Sequence, residues 1–389
     1  MPLDINYKKK NIFIFFSFGV SLKTWSKQKI LKREIKYYQE LKKKNYNVTF
    51  VTYGDETDLK YKRYLNDINI LPLFKNLKKN FLTKYLILLF GPFILKKELN
   101  NCDLIKTHQV TGGLLAILCA KLKNKKIIVR TGWEPTFNYR NWNINFVKYL
   151  ILIINSFLSY KLSNKIIVTS NEIKNFINTK YYIDLKKIVL IPNAINIKKF
   201  RNLKIQKYDN RIISISRLES QKNLFTLLNI CKLSKLNLDI IGTGTQLSSL
   251  KKFAKKNHLD VRFFGQIENN KIPNYLSKYK LYLTSSKIEG SPKTILEAMS
   301  VELPIFGLKA YGLNSLVQNG KTGYLYSNIK NLSKKLIKLK NKKKILNSLG
   351  LNARALIKKN FSLEKNVKLE RETIEKLFNE KKYRYSNLY

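Results

Sequence analysis

The sequence predicts an α/β protein of two doubly wound domains. Three observations lead there. Apolar runs of strand length alternate with helical spacing over the first 190 or so residues, the alternation pauses at 187–200, and it resumes as a second series from 211. Strand, helix and strand within about forty residues make a βαβ unit, which builds parallel sheet.

The first strand is "NIFIFFSFG" (11–19), a continuous apolar run ending at Gly19, as a central parallel strand requires. "KQKILKREIKYYQELKKKN" follows with Ile30, Ile35, Tyr38 and Leu41 near one helical face, and "YNVTFVTYG" (46–54) is the next strand. "CDLIKTH" (102–108), "KKIIVRTG" (125–132) and "NKIIVTS" (164–170) repeat the pattern with helices between them. "KIVLIPNAINIKKF" (187–200) interrupts it with a Pro-Asn turn, which sets a domain boundary near residue 195. The second series is "RIISISR" (211–217), "LDIIGTGT" (238–245), "DVRFFGQ" (260–266), "LYLTSS" (281–286), "LPIFGL" (303–308) and "GYLYS" (323–327). Residues 328–380 are lysine-rich and helical with no strand signal.

Two apolar stretches, "YLILLFGPFIL" (85–95) and "YLILIINSFL" (149–158), are about half the ~20 residues needed to cross a bilayer, so buried helices are expected, with membrane contact as the alternative. The opening "MPLDINYKKKNIFIFFSFG" is too short to span and runs into turn residues, so it reads as a first buried strand rather than a leader.

The formal charge of +50 would suit a nucleic acid or an anionic membrane. Only eleven of the 75 basic residues are arginine, the side chain suited to bidentate phosphate and base recognition. Lysine, asparagine, isoleucine, tyrosine and phenylalanine are abundant together while glycine and proline are scarce, which fits an AT-rich coding sequence with lysine filling the surface. Cys102, Cys119 and Cys231 are widely spaced and odd in number, which suits a reducing cytoplasm and speaks against a disulfide framework or zinc site. His258, in "KKNHLD", reads as a surface residue.

The chemistry concentrates in "SSKIEGSPKTILEAMS" (285–300). Ser291 is expected as the helix N-cap and Pro292 as the first helical residue, leaving the N–H groups of Lys293, Thr294 and Ile295 at a helix start that suits an anion. Glu289 falls in the loop and Glu297 inside the helix. Carboxylates repel phosphate but accept paired hydrogen bonds from vicinal hydroxyls, so this combination suits a ligand that is part phosphate and part diol, as a nucleotide-sugar is. "SISRLESQKN" (214–223) adds Arg217 at a strand end and Lys222 beyond it, on the same carboxyl edge, where open α/β folds bind ligands. Two cations there neutralise a diphosphate without metal, and the chain contains no Asp-x-Asp pair.

"SRLESQKN", "IIGTGTQLSSL", "EGSPKTILEAMS" and "VQNGKTGYLY", in that order, resemble the successive motifs of the retaining glycosyltransferases of family 4, the group 1 type with a GT-B fold. "IPNAINIKKF" resembles that family's interdomain segment, "CDLIKTHQVTGGLLA" its histidine-bearing N-terminal loop, and the stretch from 21 to 54 the N-terminal regions of some members. The resemblance covers roughly residues 11–330. It departs from the family in having one glycine in "FGVSLKTW" and Asn196 where aspartate is usual.

The resemblance implies two Rossmann-like domains facing a cleft: 1–195 on the acceptor side and 196–360 binding the donor, with a helix from about 361 crossing back to the first. It implies a retaining hexosyltransferase, in the cytoplasm or peripheral on the inner membrane face, moving a sugar from a nucleoside-diphosphate-sugar to a lipid-linked or envelope glycan. Arg217 and Lys222 would bind the diphosphate, Glu297 the ribose and Glu289 the transferred sugar, with His108 on the N-terminal wall. Gly19, Gly290, Ser291, Lys293, Thr294, Gly242 and Gly265 complete the implied donor contacts. No cofactor, metal or nucleic acid is expected. A sugar-nucleotide epimerase on the same fold and a basic nucleic-acid-binding protein are the alternatives. "KNLKKNFLTKYLILLFGPFILKK" (75–97), with Lys78, Lys79, Lys96 and Lys97 on its flanks, is the expected contact with an anionic membrane.

Overall fold

The computed structural model describes residues 9–43, 46–75, 80–137 and 145–380. They form two compact units: residues up to Pro192 together with those from Val367 onward, and Asn193–Asn366.

The first unit runs β1 (Lys10–Phe15), α1 (Leu22–Lys27), α2 (Leu31–Lys42), β2 (Tyr46–Thr52), β3 (Asn69–Pro72), α3 (Phe81–Ile94), β4 (Leu104–Thr107), α4 (Gly113–Leu122), β5 (Lys126–Thr131), α5 (Phe146–Leu162), β6 (Lys165–Val168), α6 (Asn171–Tyr181) and β7 (Ile188–Leu190). Its sheet is parallel, in the order β3-β2-β1-β4-β5-β6-β7. The apolar runs are continuous because the central strands are covered on both faces. Phe13, Phe15, Ile105 and Val129 pack toward one side with Leu115 and Cys119 of α4, while Ile12, Ile14 and Phe50 lie on the other and are fully buried. On that second side α2 buries Leu31, Glu34, Ile35, Tyr38 and Leu41, close to the face expected from its spacing.

Strands β3 and β7 were not expected from the sequence. Both are edge strands of three or four residues, β3 ending on Pro72 and β7 two residues before Pro192, so neither shows a long apolar run.

The second unit runs β8 (Arg211–Ile215), α7 (Leu224–Ser234), β9 (Asn237–Ile241), α8 (Leu247–Lys256), β10 (Val261–Phe263), α9 (Ile272–Leu276), β11 (Tyr282–Thr284), α10 (Lys293–Ser300), β12 (Ile305–Leu308), β13 (Gly323–Tyr326), α11 (Ile329–Leu339) and α12 (Lys343–Asn360). Its parallel sheet has the order β10-β9-β8-β11-β12-β13. Strand residues alternate between two cores. Ile213, Ile215 and Tyr282 face α10, while Ile212, Leu281 and Leu283 face α7.

A last helix, α13 (Leu363–Asn379), begins in the second unit and belongs to the first from Val367. There Glu370 pairs with Lys106 of β4 at 2.9 Å, and Glu375 with Lys10 of β1 at 3.0 Å. The three cysteines are buried and free.

One expectation is overturned. The stretches 85–95 and 149–158 are helical, but their apolar residues face outward: Leu89, Phe93 and Ile151 are exposed. The faces turned inward bury Ile87 on α3 and Tyr160 on α5 but are otherwise largely small or polar, with Gly91 on α3 and Asn155, Ser156 and Ser159 on α5, where α4 approaches closely. No helix among the described residues is long and apolar enough to cross a membrane. Lys78 and Lys79 lie outside the described residues; Lys96 and Lys97 are exposed just beyond α3.

Candidate active site

In each sheet the strand order reverses beside the first strand, between β1 and β4 and between β8 and β11. The crevice outside the carboxyl ends at such a point is where open α/β sheets bind ligands. Most of the sequence-predicted residues fall near these two points, one set in each unit, while Gly242 and Gly265 follow β9 and β10.

In the second unit, β8 leads through Ser216 to Arg217, which is exposed and makes no ion pair or hydrogen bond among the described residues. The chain turns through Ser220–Lys222 and enters α7 from Asn223, held in the left-handed region at φ 52°. The loop after β11 fastens this turn. The Ser285 hydroxyl donates to the carbonyls of Lys222 (3.1 Å) and Asn223 (2.9 Å), and the Lys287 N–H donates to the Gln221 carbonyl (3.1 Å). Lys222 is thereby aimed at the next loop, where its ammonium pairs with the Glu289 carboxylate. Both side chains are largely buried, at 15% and 12% exposure, so the pair is shielded far more than a surface ion pair.

Glu289 is fixed from behind. Its N–H donates to the Tyr311 carbonyl at 2.9 Å, and Gly312, at φ 79°, lies against the Glu289 and Gly290 carbonyls, where any side chain would collide with backbone. Tyr282 joins the elements. Its hydroxyl donates to the Ile215 carbonyl (2.9 Å), accepts the Ile215 N–H (3.0 Å) and is hydrogen-bonded with the Thr294 side chain. Burial pushes the Tyr282 phenol up to about 12, and the charges of Glu289 and Glu297 add to the effect. Sequence reasoning found neither Tyr282, which reads as one more strand aromatic, nor Gly312, whose role depends on the loop at Glu289 and Gly290, distant in sequence.

The helix start differs from expectation by one residue. Lys293 opens α10 and Pro292 is its N-cap, with the Pro292 carbonyl accepting from Ile295 (3.1 Å) and Leu296 (3.2 Å). The Ile295 N–H is therefore occupied, and Lys293 and Thr294 form the first turn. Ser291 does not cap. Its hydroxyl accepts the Asn193 N–H at 3.4 Å and its carbonyl accepts the Asn193 side-chain amide at 2.6 Å, which binds this loop to the start of the second unit at Asn193. Glu297 is buried in α10 and accepts from the Asn269 amide at 2.8 Å; Asn269 in turn accepts from Lys199 at 2.6 Å.

Gly242 lies where the loop after β9 crosses the loop after β8. At φ 144° and against the Ser216 carbonyl it leaves no room for a side chain, and its N–H donates to the Gly265 carbonyl at 2.7 Å. Its place is explained by packing behind Arg217. Gly290 lies in the Glu289 loop. Among the described residues there is no group of three or more His, Cys, Asp or Glu that could hold a metal ion.

In the first unit, His108 follows β4 and donates its N–H to the Phe15 carbonyl at the end of β1 (2.8 Å). Its Nδ1 and the Tyr38 hydroxyl of α2 are 2.8 Å apart, and its ring packs 4.8 Å from Trp25 and 5.9 Å from Phe16. Burial raises the Tyr38 phenol well above its ordinary range. Gly19 lies in the turn after β1. His258 is exposed after α8.

Residues 196–356 match the family described as glycosyl transferases group 1, and residues 36–199 that of glycosyltransferase family 4. The chain is 28% identical over 295 residues to the UDP-Gal:alpha-D-GlcNAc-diphosphoundecaprenol alpha-1,3-galactosyltransferase of Escherichia coli, covering 70% of this chain and 75% of that one. It is 27% identical to the GtfA subunit of the UDP-N-acetylglucosamine–peptide N-acetylglucosaminyltransferase of Streptococcus agalactiae, over 61% of this chain but only 48% of that protein. Among solved structures, Anabaena HepE in complex with UDP and glucose superposes with a TM-score of 0.74 at 14% identity, over 94% of this chain and 100% of that one. The two family matches together run from residue 36 to residue 356, and with the paired parallel sheets they show that the chain belongs to the group 1, family 4 glycosyltransferases of GT-B fold.

Proposed function

We propose that this glycosyltransferase moves a sugar, with retention and without metal, from a nucleoside-diphosphate-sugar to a lipid-linked or cell-envelope glycan. The observation that carries the reading is the Lys222–Glu289 pair at the switch point of the second sheet, beside the exposed Arg217 and the first turn of α10. A cation and a carboxylate held side by side suit a ligand whose phosphates adjoin a polyol. Arg217 and Lys222 take the diphosphate and stabilise the charge that grows as the sugar–phosphate bond breaks. Glu289 orients the sugar hydroxyls and Glu297 the ribose. In a front-face reaction the acceptor oxygen bonds to the anomeric carbon on the side the phosphate leaves. The phosphate takes the bond's electron pair and the acceptor's proton, so no protein nucleophile is needed. The UDP-Gal donor and diphosphoundecaprenol-linked acceptor in the name of the E. coli relative, and the UDP in complex with HepE, make uridine diphosphate sugars and polyprenyl diphosphates the first substrates to try. The scarcity of arginine among the basic residues supports a reading without nucleic acid.

Nucleoside diphosphate release with an acceptor panel, with the product's anomeric configuration read by proton NMR, tests the reading. An inverted linkage overturns retention, and an isomerised donor without transfer overturns the transferase assignment. Turnover is expected to survive EDTA, because the cations are Arg217 and Lys222; full loss restored by magnesium or manganese would show a metal site instead.

The two carboxylates should separate kinetically. Glu297→Gln is expected to raise KM more than it lowers kcat, because ribose contacts act alike in ground and transition states. Glu289→Gln is expected to lower kcat at saturating donor. Indistinguishable variants would remove the division of labour.

A further inference from the structure

Helices α3 and α5 bury Ile87 and Tyr160 but turn most of their apolar residues outward. Of the 27 large hydrophobic residues exposed among the described residues, 14 lie on these two helices, which together hold 31 residues. Leu89 and Phe93 on α3 and Phe146 on α5 are 64%, 64% and 74% exposed. The sides turned inward are the unusual ones. α3 presents Gly91 to Leu115 of α4, and α5 presents Asn155, whose amide oxygen accepts the Leu114 N–H at 3.2 Å and whose amide group donates to the Val110 carbonyl at 3.0 Å. Both helices pack on α4, so their apolar sides belong to one face of the first unit. Concentration on this scale marks an interaction surface rather than the scattered exposure of ordinary proteins.

Charge decides between occupants. Residues 80–97 and 145–165 contain no aspartate or glutamate, although the chain has 25 acidic residues. They do carry lysine, and Lys96, Lys97 and Lys148 are exposed beside the apolar residues. A second copy of the face would set lysine against lysine. An anionic leaflet supplies both the opposite charge and an apolar layer, and short helices with apolar and basic residues side by side suit its interface. The face also reaches the carboxyl edge of the sheet, since the Tyr85 ring of α3 packs 5.3 Å from Phe18, next to Gly19.

We propose that α3 and α5 seat the first unit on an anionic bilayer, with Leu89, Phe93, Phe146 and Ile151 entering the boundary between headgroups and acyl chains and Lys96, Lys97 and Lys148 meeting lipid phosphates. The surface rests on this geometry alone and stands apart from the sugar-transfer reading.

The test is co-flotation of the full chain with vesicles of phosphatidylcholine, alone or mixed with phosphatidylglycerol. The unaltered protein is expected to float with the mixed vesicles, less so at high salt. Two variants are expected to lose binding by about tenfold or more while melting as the parent does: Leu89→Ser/Phe93→Ser/Phe146→Ser/Ile151→Ser, and Lys96→Glu/Lys97→Glu/Lys148→Glu. Three results would overturn the proposal: parent protein that ignores the mixed vesicles or binds neutral ones equally; a serine variant that floats like the parent; or self-association of the parent abolished by the serine variant with no vesicle binding, which would assign the face to a second copy. The readout needs neither donor nor acceptor, so it succeeds or fails independently of turnover.

Discussion

Lys222→Ala is expected to lower donor turnover by ~10²–10³, the usual effect of losing one group that stabilises charge developing in a transition state. Lys222 is the partner of Glu289, so on the proposed reading its removal would withdraw a cation from the leaving diphosphate, and it also leaves a largely buried carboxylate unpaired. Arg217→Ala removes a cation without uncovering an anion, so its loss should be the smaller of the two. The Lys222→Ala/Glu289→Gln double variant should be less impaired than the product of its single variants, because the unpaired charge is gone. Steady-state kinetics checks all four proteins, with melting curves to separate folding from function. Near-normal turnover in both cation variants would sink the phosphate assignment.

Glu370→Ala is expected to destabilise the protein by about 3–5 kcal/mol, the range for breaking a buried ion pair. Lys106 and Glu370 are fully buried, 2.9 Å apart, and the Tyr37 hydroxyl donates to the second Glu370 oxygen at 2.8 Å. Burial drives the Lys106 ammonium below its usual range and the Glu370 carboxylate pulls it back, so without Glu370 the charge is stranded two residues before His108. A Lys106→Met/Glu370→Leu variant should recover most of the loss, since apolar replacement of both partners removes the desolvation cost. Urea midpoints decide it. A single variant as stable as the parent would show that α13 does not depend on this pair.

Both sheets were legible because their central strands are buried on two faces and read as unbroken apolar runs, such as "NIFIFF" and "RIISI". The edge strands β3 and β7 escaped because prolines and short lengths hide them. The grouping of Arg217, Lys222 and Glu289 followed from their places after strand ends. What positions them did not, since the Ser285, Gly312 and Asn193 contacts join segments far apart in sequence. Ser291 looked like a cap because Ser-Pro is a common helix start, but Asn193 takes both its hydroxyl and its carbonyl. The two apolar helices misled for a physical reason. Hydrophobic spacing shows which side of a helix is apolar, not whether that side meets core or another phase.

The central claim is that the switch point of the second sheet binds a nucleoside diphosphate through Lys222 and Arg217. Thermal unfolding with nucleoside diphosphates and their sugars, on the parent and on Lys222→Ala, tests it most directly. At about 100 times its dissociation constant a cognate ligand should add roughly 2.7 kcal/mol to the parent, visible as a saturable rise in melting temperature. The same ligand should give Lys222→Ala a clearly smaller rise at equal concentration. No rise in the parent with any nucleotide, or equal rises in parent and variant, would contradict the account.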